Sequence, residues 1–467
     1  TVEKNKLHEI QEIAQIEPRF LKMAEDDMYR DMAEVVETHN LQGYLVPLDE
    51  RSTCSGIPAS SSVNRINTRT AAGWPRVGSK LALIEPSPTP EQPAAICLTD
   101  EQRAEVEQIE AQMEELTRVN FVFKWSHKDE PTKFTKNKVR VFEGAPFSLT
   151  FLFRKYFMPL IRLMMMFPLL FESAVGINAT GPEWNAFVAW LMVYNPSHVL
   201  EGDWQHFDMS IHYQEIMAVF TVWIRLLETY GQFTAAQIRV MWCIAEEVAC
   251  HYALAKGDVL IMVGGNPSGN SATVQINNGS NGLRMRAFFF ANRPVECVGR
   301  FRDYARAMFY GDDFSLAVKP EVEGWFTQRA METWFGTQGK VMTSPAKVPF
   351  TEDFTPYSRA SFLKRGFRWD AGLGHYMAPL ELNSIYKSLH VWPTKLAFSK
   401  EVHAAEVISG AIRELFQHGE AVYNERVPPI LEVARRHGAE SYLEAADFAT
   451  YAGAAASWRA KYLEASE

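Results

Sequence analysis

Apolar and polar residues follow a helix-like period at the N-terminal end of the chain and become less regular further on. Apolar residues spaced three apart between Leu7 and Ile16 predict a helix within residues 1–40. Thr99 is placed to be the N-cap of another helix, because acidic residues follow it directly. The segment 51–80 is rich in Ser, Gly and Thr, which fits an extended arm and a flexible loop about equally well.

The central part of the chain alternates long periodic segments with short apolar runs. Periodic segments predict helices at 211–230, 234–255 and 271–290. The run "HVLEGD" (198–203) predicts a core strand, and "AMFYGDDFSLAV" (307–318) predicts a strand, a two-residue turn and a strand, because Gly and Asp favour turns. Both of these runs place carboxylates at a strand end.

Composition and charge narrow the function classes. The chain has 467 residues, 47% of them hydrophobic, which indicates a globular protein with several subdomains. The net charge of −9 argues against a globally basic nucleic-acid-binding domain, but it leaves room for a local basic channel. Five scattered cysteines without a CxxC pair argue against a zinc site or a disulfide framework and fit a reducing compartment. The apolar run 157–171 contains Arg162 and two prolines, so it predicts a buried helix and no membrane span.

The acidic strand ends are candidates for metal ligands. Phosphoryl transfer between nucleotides requires two divalent ions about 4 Å apart, held by carboxylates from different strands. Asp312 and Asp313 occupy the turn of the predicted hairpin, and Asp203 ends the earlier strand. Asp208 follows five residues later, at the start of a helix. Taken singly, these residues are also typical of a solvated turn or a helix cap.

A glycine-rich loop runs into a helix at "VGGNPSGNSATVQINN" (263–278). Its glycines allow close backbone approaches that a Cβ atom would block, and Thr273 and Asn277 share a helical face. An ordinary turn followed by an N-cap would explain the loop taken alone. No Walker A lysine follows it.

A basic segment, "FVFKWSHKDEPTKFTKNKVRVF" (121–142), carries a local excess of four positive charges in an otherwise acidic chain. Such a segment can contact the phosphates of a nucleotide, and it can equally be a solvated lysine-rich loop. Its cations are Lys124, Lys128, Lys133, Lys136, Lys138 and Arg140.

The order of these segments resembles that of the RNA-dependent RNA polymerases of picornavirus-like positive-strand viruses. "KDE" with "KVRVF" looks like motif F of that family, "GDWQHFD" like motif A and "GGNPSGNSATVQINN" like motif B. "FYGDD" looks like motif C, "VMTSPAK" like motif D and "FLKRGF" like motif E. The resemblance covers roughly residues 120–370 in unbroken order. Each motif is weak alone, and six in sequence are strong together.

The resemblance implies a set of catalytic residues. Asp203 and Asp312 would be the main ligands of two Mg²⁺ ions, for which Mn²⁺ can substitute, with Asp313 as a supporting carboxylate. Lys347 would be the general acid for pyrophosphate, although an exposed lysine after a proline turn is the ordinary interpretation.

The resemblance also implies nucleotide and RNA contacts. Lys128 and Arg140 would contact the incoming triphosphate, and the alignment of Lys133, Lys136 and Lys138 with the family's basic run stays open. Position 208 carries an acceptor where DNA-synthesising enzymes commonly carry a bulky aromatic residue, which favours ribonucleotides. The sugar-reading set would be Asp208, Ser268, Gly269, Thr273 and Asn277. Lys364 and Arg365 would lie near the primer backbone.

The fold implied by the resemblance is α+β, a closed right hand whose antiparallel palm sheet is flanked by helices. The implied boundaries are fingers 1–195, palm 196–243, a fingers insertion 244–263, palm 264–370 and a helical thumb 371–467. The partners would be an RNA template and primer and NTPs, with a protein primer and other viral replication proteins as further candidates. The implied location is the host cytoplasm, in replication complexes that reach membranes through partners.

Two other functions compete with this interpretation. A reverse transcriptase on the same palm predicts an aromatic residue at position 208 and usually a non-glycine residue before the aspartate pair, and neither is present. A non-catalytic RNA-binding or structural viral protein would give no reason for the acidic, Ser268 and Asn277 positions to occur together in this order.

Overall fold

Helices account for most of the ordered elements of the chain. The computed structural model describes residues 12–58, 60–90, 92–128, 130, 140–392, 396, 398–443 and 450–464. The first eleven residues of the predicted N-terminal helix lie outside this range. The helices are α1 (Pro18–Thr38), α2 (Glu50–Ser55), α3 (Asp100–Glu114), α4 (Phe147–Met166), α5 (Pro182–Met192), α6 (Phe207–Ser210), α7 (Tyr213–Tyr230), α8 (Ala235–Ala249), α9 (Thr273–Asn292), α10 (Phe301–Tyr304), α11 (Gln328–Thr337), α12 (Leu382–Leu389), α13 (Lys400–Phe416), α14 (Glu420–Arg436) and α15 (Tyr451–Tyr462).

The strands form two larger sheets and two short pairs. The strands are β1 (Ile84–Pro86), β2 (Ile96–Leu98), β3 (Val122–His127), β4 (Val141–Gly144), β5 (His198–Trp204), β6 (Cys250–Ala255), β7 (Asp258–Val263), β8 (Ala305–Tyr310), β9 (Asp313–Val318), β10 (Met342–Thr343), β11 (Thr355–Pro356), β12 (Arg368–Asp370) and β13 (His375–Met377). One sheet has the order β10-β5-β9-β8, with β11 also paired to β5, and the other has the order β4-β3-β6-β7. Strands β1 and β2 pair with each other, as do β12 and β13.

The chain divides into two compact units. The first comprises residues 1–176, 202–314 and 322–351, and the second comprises 177–201, 315–321 and 352–467. The second unit has its own hydrophobic core, in which α12–α15 contribute residues such as Ile385, Ile412 and Trp458. The predicted helical character of the C-terminal region is therefore confirmed for the described residues.

Local capping explains where several helices begin. The Thr99 hydroxyl accepts a hydrogen bond from the amide of Gln102, which confirms it as the N-cap of α3. Thr234 and Gln237 form a reciprocal capping box at the start of α8. Helix α8 ends at Ala249, so the predicted helix 234–255 is wrong at its C-terminal end. Residues 250–255 form β6 instead, because they pair in parallel with β3 and antiparallel with β7.

The buried helix predicted at 157–171 is displaced in the structure. Helix α4 begins ten residues earlier, at Phe147, and ends at Met166. Arg162, the charged residue in the run, stacks its guanidinium on the ring of Tyr44. Within the described residues, none of the helices combines the length and the apolar character that crossing a membrane requires.

Helix α1 packs on α9 through a buried cluster of charges. Arg286 of α9 is fully buried and donates to Asp27 and to Asp31 of α1 at 3.1 and 2.7 Å. The Nη1 atom of Arg286 pairs with Glu172 at 2.9 Å, and Arg302 also pairs with Glu172, at 3.0 Å. Because three carboxylates surround one buried guanidinium, removing its positive charge would lower the free energy of unfolding.

Asp27 is expected to make the stability of this cluster depend on pH. Burial raises the pKa of the Asp27 carboxyl to about 6; Arg286 opposes the rise, and Asp31 and Glu172 add to it. Because the pKa is higher in the folded chain, the contribution of Asp27 to stability is full below about pH 4 and is lost as the pH rises through 6. The melting temperature of Asp27→Asn, compared with that of the unmodified chain, should therefore rise by about 1–2 °C between pH 5 and pH 7.5.

The neighbouring Asp26 provides a matched control. Burial raises the pKa of its carboxyl, but hydrogen bonds from Arg225 and Lys22 lower it below the usual value overall. The difference in melting temperature between Asp26→Asn and the unmodified chain should consequently be the same at pH 5 and at pH 7.5. A melting-temperature difference that stays constant for Asp27→Asn as well would contradict the prediction.

Candidate functional site

Two carboxylates from neighbouring strands meet in the first unit. Asp203 lies near the end of β5, and Asp312 lies in the turn between β8 and β9, where the strand–turn–strand prediction is confirmed. Their carboxyl groups are within hydrogen-bonding reach of each other. Burial, followed by the negative charges of Asp203 and Asp208, raises the pKa of the Asp312 carboxyl. A site that brings buried like charges together favours the binding of a cation.

The turn that carries Asp312 is fixed by helix α9. Gly311 has φ +65, a left-handed conformation that favours glycine. Its amide donates to Asn278 at 2.6 Å, and its carbonyl accepts from Asn281 at 3.2 Å. The sequence interpretation missed both asparagines. Their spacing from Asn277 along one helix was the available signal.

Lys347 lies at the same site. Its Nζ is 2.9 Å from Oδ2 of Asp203. The hydrogen bond to Asp203 raises the pKa of Lys347, although burial opposes it, and the charges of Asp312 and Asp313 act in the same direction as Asp203. The ammonium form that a proton donor needs is therefore the favoured one. Asp313 begins β9, directly after Asp312.

Asp208 and Asn277 form the direct contact that a sugar-reading pair requires. The Asn277 side-chain amide donates to Asp208 Oδ1 at 2.6 Å, and Asn266 donates to Asn277 Oδ1 at 2.7 Å. Burial raises the pKa of the Asp208 carboxyl, while Asn277, Lys128 and Arg140 oppose the rise. Asn266, which sequence reasoning missed, orients the amide of Asn277 so that its NH₂ faces Asp208.

The glycine-rich loop packs against strand β4. Gly269 bridges to Gly144, and a Cβ atom at Gly269 would collide with the carbonyl oxygen of Glu143. The Thr273 hydroxyl lies 3.2 Å from the Pro267 carbonyl, to which it donates, so it braces the loop that also contains Ser268. The loop is thus held between α9 and strand β4.

Two of the predicted phosphate-contacting cations are described in the structure. The amide of Lys128 donates to the Arg140 carbonyl at 2.9 Å, which extends the β3–β4 pairing by one step. Both cations oppose the rise in the pKa of Asp208, so the positive charge of each acts on that carboxyl. Arg140 is mostly exposed and lies 3.4 Å from Glu130. Lys133, Lys136 and Lys138, whose alignment with the family's basic run the sequence left open, lie outside the described residues.

The predicted RNA-contacting pair lies in the second unit. Leu363 and Lys364 have φ of 56° and 61°, and Phe362 and Arg365 exchange two backbone hydrogen bonds around them, as in a type I′ hairpin turn. Lys364 is mostly exposed, with Nζ 3.9 Å from Glu381. Arg365 makes two 2.7 Å hydrogen bonds to Glu414, so its guanidinium is already engaged within the protein.

The residues present fit a metal site of two principal carboxylates. The buried repulsion between Asp203 and Asp312 is what a divalent cation would relieve, and carboxylate oxygens suit Mg²⁺. In the described part of the chain, no group of three or more His, Cys, Asp or Glu side chains is arranged to hold a metal ion. The remaining ligands would therefore have to come from substrate oxygens, water or a rearranged Asp313.

A family comparison decides between the candidate functions. A family model described as viral RNA-dependent RNA polymerase matches residues 9–435, which is most of the chain. The chain belongs to the viral RNA-dependent RNA polymerase family. Its membership confirms the enzyme class and the positive-strand virus resemblance that the motif order predicted.

The relatives are viral polyproteins. The chain is 28% identical to the replicase polyprotein of Drosophila C virus over 319 residues, and 27% identical to that of cricket paralysis virus over 329 residues. It is 29% identical to the RNA1 polyprotein of Andean potato mottle virus over 300 residues. These matches cover 66%, 68% and 61% of this chain, but only 18%, 18% and 39% of the polyproteins.

A solved structure confirms the fold. The Sicinivirus 3Dpol RNA dependent RNA polymerase matches 97% of this chain and 87% of its own with a TM-score of 0.73, at 18% identity. The predicted α+β right-hand polymerase fold is thus confirmed. The individual roles of the site residues remain predictions.

Proposed function

We propose that this chain catalyses template-directed transfer of nucleoside monophosphates from NTPs to the 3′-end of an RNA. The observation that carries the proposal is the meeting of Asp203 and Asp312 at adjacent strand ends, with Lys347 hydrogen-bonded to Asp203. Membership of the viral RNA-dependent RNA polymerase family supports it. Copying of a viral RNA genome would be the biological role.

The reaction joins the 3′-oxygen of the RNA to the α-phosphorus of an NTP and breaks the bond to the oxygen bridging to the β-phosphorus. Two Mg²⁺ ions, held by Asp203 and Asp312 with Asp313 in support, would supply a lowered pKa at the 3′-hydroxyl and charge neutralisation at pyrophosphate. Lys347 would hold the proton that pyrophosphate takes up as it leaves. Lys128 and Arg140 would bind the triphosphate, Arg140 through its planar fork of donors.

Selection of ribose over deoxyribose rests on Asp208 and Asn277. Their hydrogen bond places an acceptor and a donor side by side, with Ser268, Gly269 and Thr273 shaping the loop around them. A deoxyribose lacks the 2′-hydroxyl that would hydrogen-bond to this pair, and the loss of that contact would cost about 1–3 kcal/mol.

Asp208→Ala and Asn277→Ala should therefore each lower the preference for NTP over dNTP by about tenfold, as measured by the ratio of their kcat/KM values. Asn292→Ala provides the control, because Asn292 lies at the other end of the same helix and donates only to the Phe288 carbonyl. An unchanged ratio in both test variants would show that the sugar is read elsewhere.

The proposal itself is tested by primer extension on a defined RNA template with Mg²⁺. We expect extension by NTPs in the order that the template dictates, and much weaker extension by dNTPs. Efficient extension by dNTPs would favour a reverse transcriptase, and no extension on any template would favour an RNA-binding protein without activity.

The domain roles follow from the same proposal. Residues 196–243 and 264–370 would form the palm, 1–195 and 244–263 the fingers, and 371–467 the thumb. Lys364 is the better candidate for contact with the primer backbone, because Arg365 is paired with Glu414. An RNA template and primer, a protein primer and other replication proteins would be the partners, in membrane-associated complexes of the host cytoplasm.

A further inference from the structure

A second buried charge cluster lies beside the sugar-reading pair, and no step of the proposed reaction uses it. Glu215 of α7 and Arg284 of α9 are fully buried, and Lys340, just before β10, is 2% exposed. The Glu215 carboxylate accepts from Arg284 Nε and from Lys340 Nζ, each at 2.6 Å. One carboxylate is thus shared by two cations from different parts of the chain.

Both cations also donate to the same backbone carbonyl. Arg284 reaches the oxygen of Ser210 at 2.9 Å, and Lys340 reaches it at 2.6 Å. Ser210 is the last residue of α6, the four-residue helix that carries Asp208. So short a helix has almost no internal hydrogen bonding to hold it, so that outside contacts must fix its position.

The glycine-rich loop holds the other side of this segment. The amide of Asn266 donates to the Asp208 carbonyl at 2.9 Å, and the amide of Gly265 donates to the Ile211 carbonyl at 2.8 Å. Arg284 stacks on the rings of Trp204 and Phe207, at 4.7 Å from each centroid. The glycine-rich loop therefore holds the Asp208 segment on one side, and the cluster of Glu215, Arg284 and Lys340 holds it on the other.

We infer that Lys340 and Arg284, both oriented by Glu215, are positioning residues that set ribose selectivity by fixing the segment that carries Asp208. This inference rests on the proposed function, because it needs Asp208 to read the sugar. Neither cation would touch the nucleotide; both would act through the Ser210 carbonyl.

Lys340→Met is the variant of choice. Burial lowers the pKa of Lys340 to about 8, and Glu215 opposes this shift. Burying the charged ammonium therefore costs folding free energy. Its replacement leaves Glu215 paired with Arg284, and the folded chain should survive. The Ser210 carbonyl loses one of its two charged donors, which should let Asp208 shift from the ribose hydroxyl.

The expected result is a loss of about fivefold in the ratio of NTP to dNTP kcat/KM, the scale of one weakened hydrogen bond. A merely destabilised enzyme has less active protein, which lowers both rates equally and cancels in the ratio. Lys340→Arg, which keeps a charged donor, should restore most of the ratio. Lys155→Met is the matched control, because it removes a lysine that pairs with Glu110 away from this segment.

A double-variant cycle tests the route of action. In an Asp208→Ala background, Lys340→Met should leave the ratio unchanged, because the group it positions is gone. An unchanged NTP to dNTP ratio in folded Lys340→Met would overturn the inference. So would a full fivefold loss of that ratio when Lys340→Met is added to Asp208→Ala. If Lys340→Met does not fold, Arg284→Lys should lower the ratio in the same direction, because it removes the guanidinium that donates to Ser210 and to Glu215 and that stacks on Trp204 and Phe207. Wild-type enzyme without RNA synthesis would instead refute the proposed function.

Discussion

Asp312→Asn should abolish RNA synthesis while leaving the fold intact. Removing the carboxylate removes one of the two principal metal ligands, and we expect a loss in kcat of roughly 10³-fold or more. The variant should be at least as stable as the unmodified chain without metal. Burial and the charge of Asp203 already raise the pKa of Asp312, so a neutral side chain relieves repulsion at the turn. Primer extension and thermal melting measure the two effects.

The adjacent carboxylate serves as the matched comparison. Asp313→Asn has the same chemistry one residue later, at the start of β9, and should cost clearly less activity because its role is supporting. Equal losses in the two variants would mean that the carboxylates act as equivalent ligands. Full activity in Asp312→Asn would refute the assignment of the metal site.

Arg286→Met should destabilise the chain severely. It removes the fully buried cation that pairs with Asp27, Asp31 and Glu172. Arg300 still pairs with Asp31, and Arg302 still pairs with Asp31 and Glu172. Breaking a buried ion pair from one side costs about 3–5 kcal/mol, which in a chain of 467 residues corresponds to a fall in melting temperature of about 3–5 °C. Circular dichroism during a thermal scan measures it.

Removing the orphaned charges should reverse that loss. Adding Asp27→Asn and Asp31→Asn to Arg286→Met leaves Glu172 paired with Arg302, and most of the melting temperature should return. Arg293→Met, just after the same helix, removes a guanidinium that donates to the Gly299 carbonyl and should change little. A triple variant as unstable as Arg286→Met would mean that packing of the side chain, and not its charge, holds α1 in place.

Sequence reasoning succeeded where the signal is local. The hairpin around Asp312 was readable because its turn residues and apolar flanks are adjacent in the chain. The start of α3 was readable because Thr99 and the acidic first turn are adjacent too. The order of these segments then identified the family, although no single one of them could.

It failed where a residue's partner lies far along the chain. Residues 250–255 continue the apolar pattern of a helix, but they form a strand that pairs with β7, directly after it, and with β3, some 130 residues earlier. The resemblance implied that Arg365 contacts RNA, which stays a prediction, and its pairing with Glu414, 49 residues away, could not be read from the sequence. Lys340 and Glu215 are 125 residues apart, so that no pattern in the sequence marked their pairing.

Helix α9 contributes side chains to nearly every part of the site, and this has a consequence for drug resistance. Asn277 holds Asp208, while Asn278 and Asn281 hold the turn of the aspartate pair. A virus escapes an inhibitor by replacing a residue that the compound contacts without losing its own replication. Replacing any of these three buried asparagines would also displace a carboxylate to which the proposed reaction gives a catalytic or sugar-reading role, so a virus should find few tolerated replacements on this face of α9.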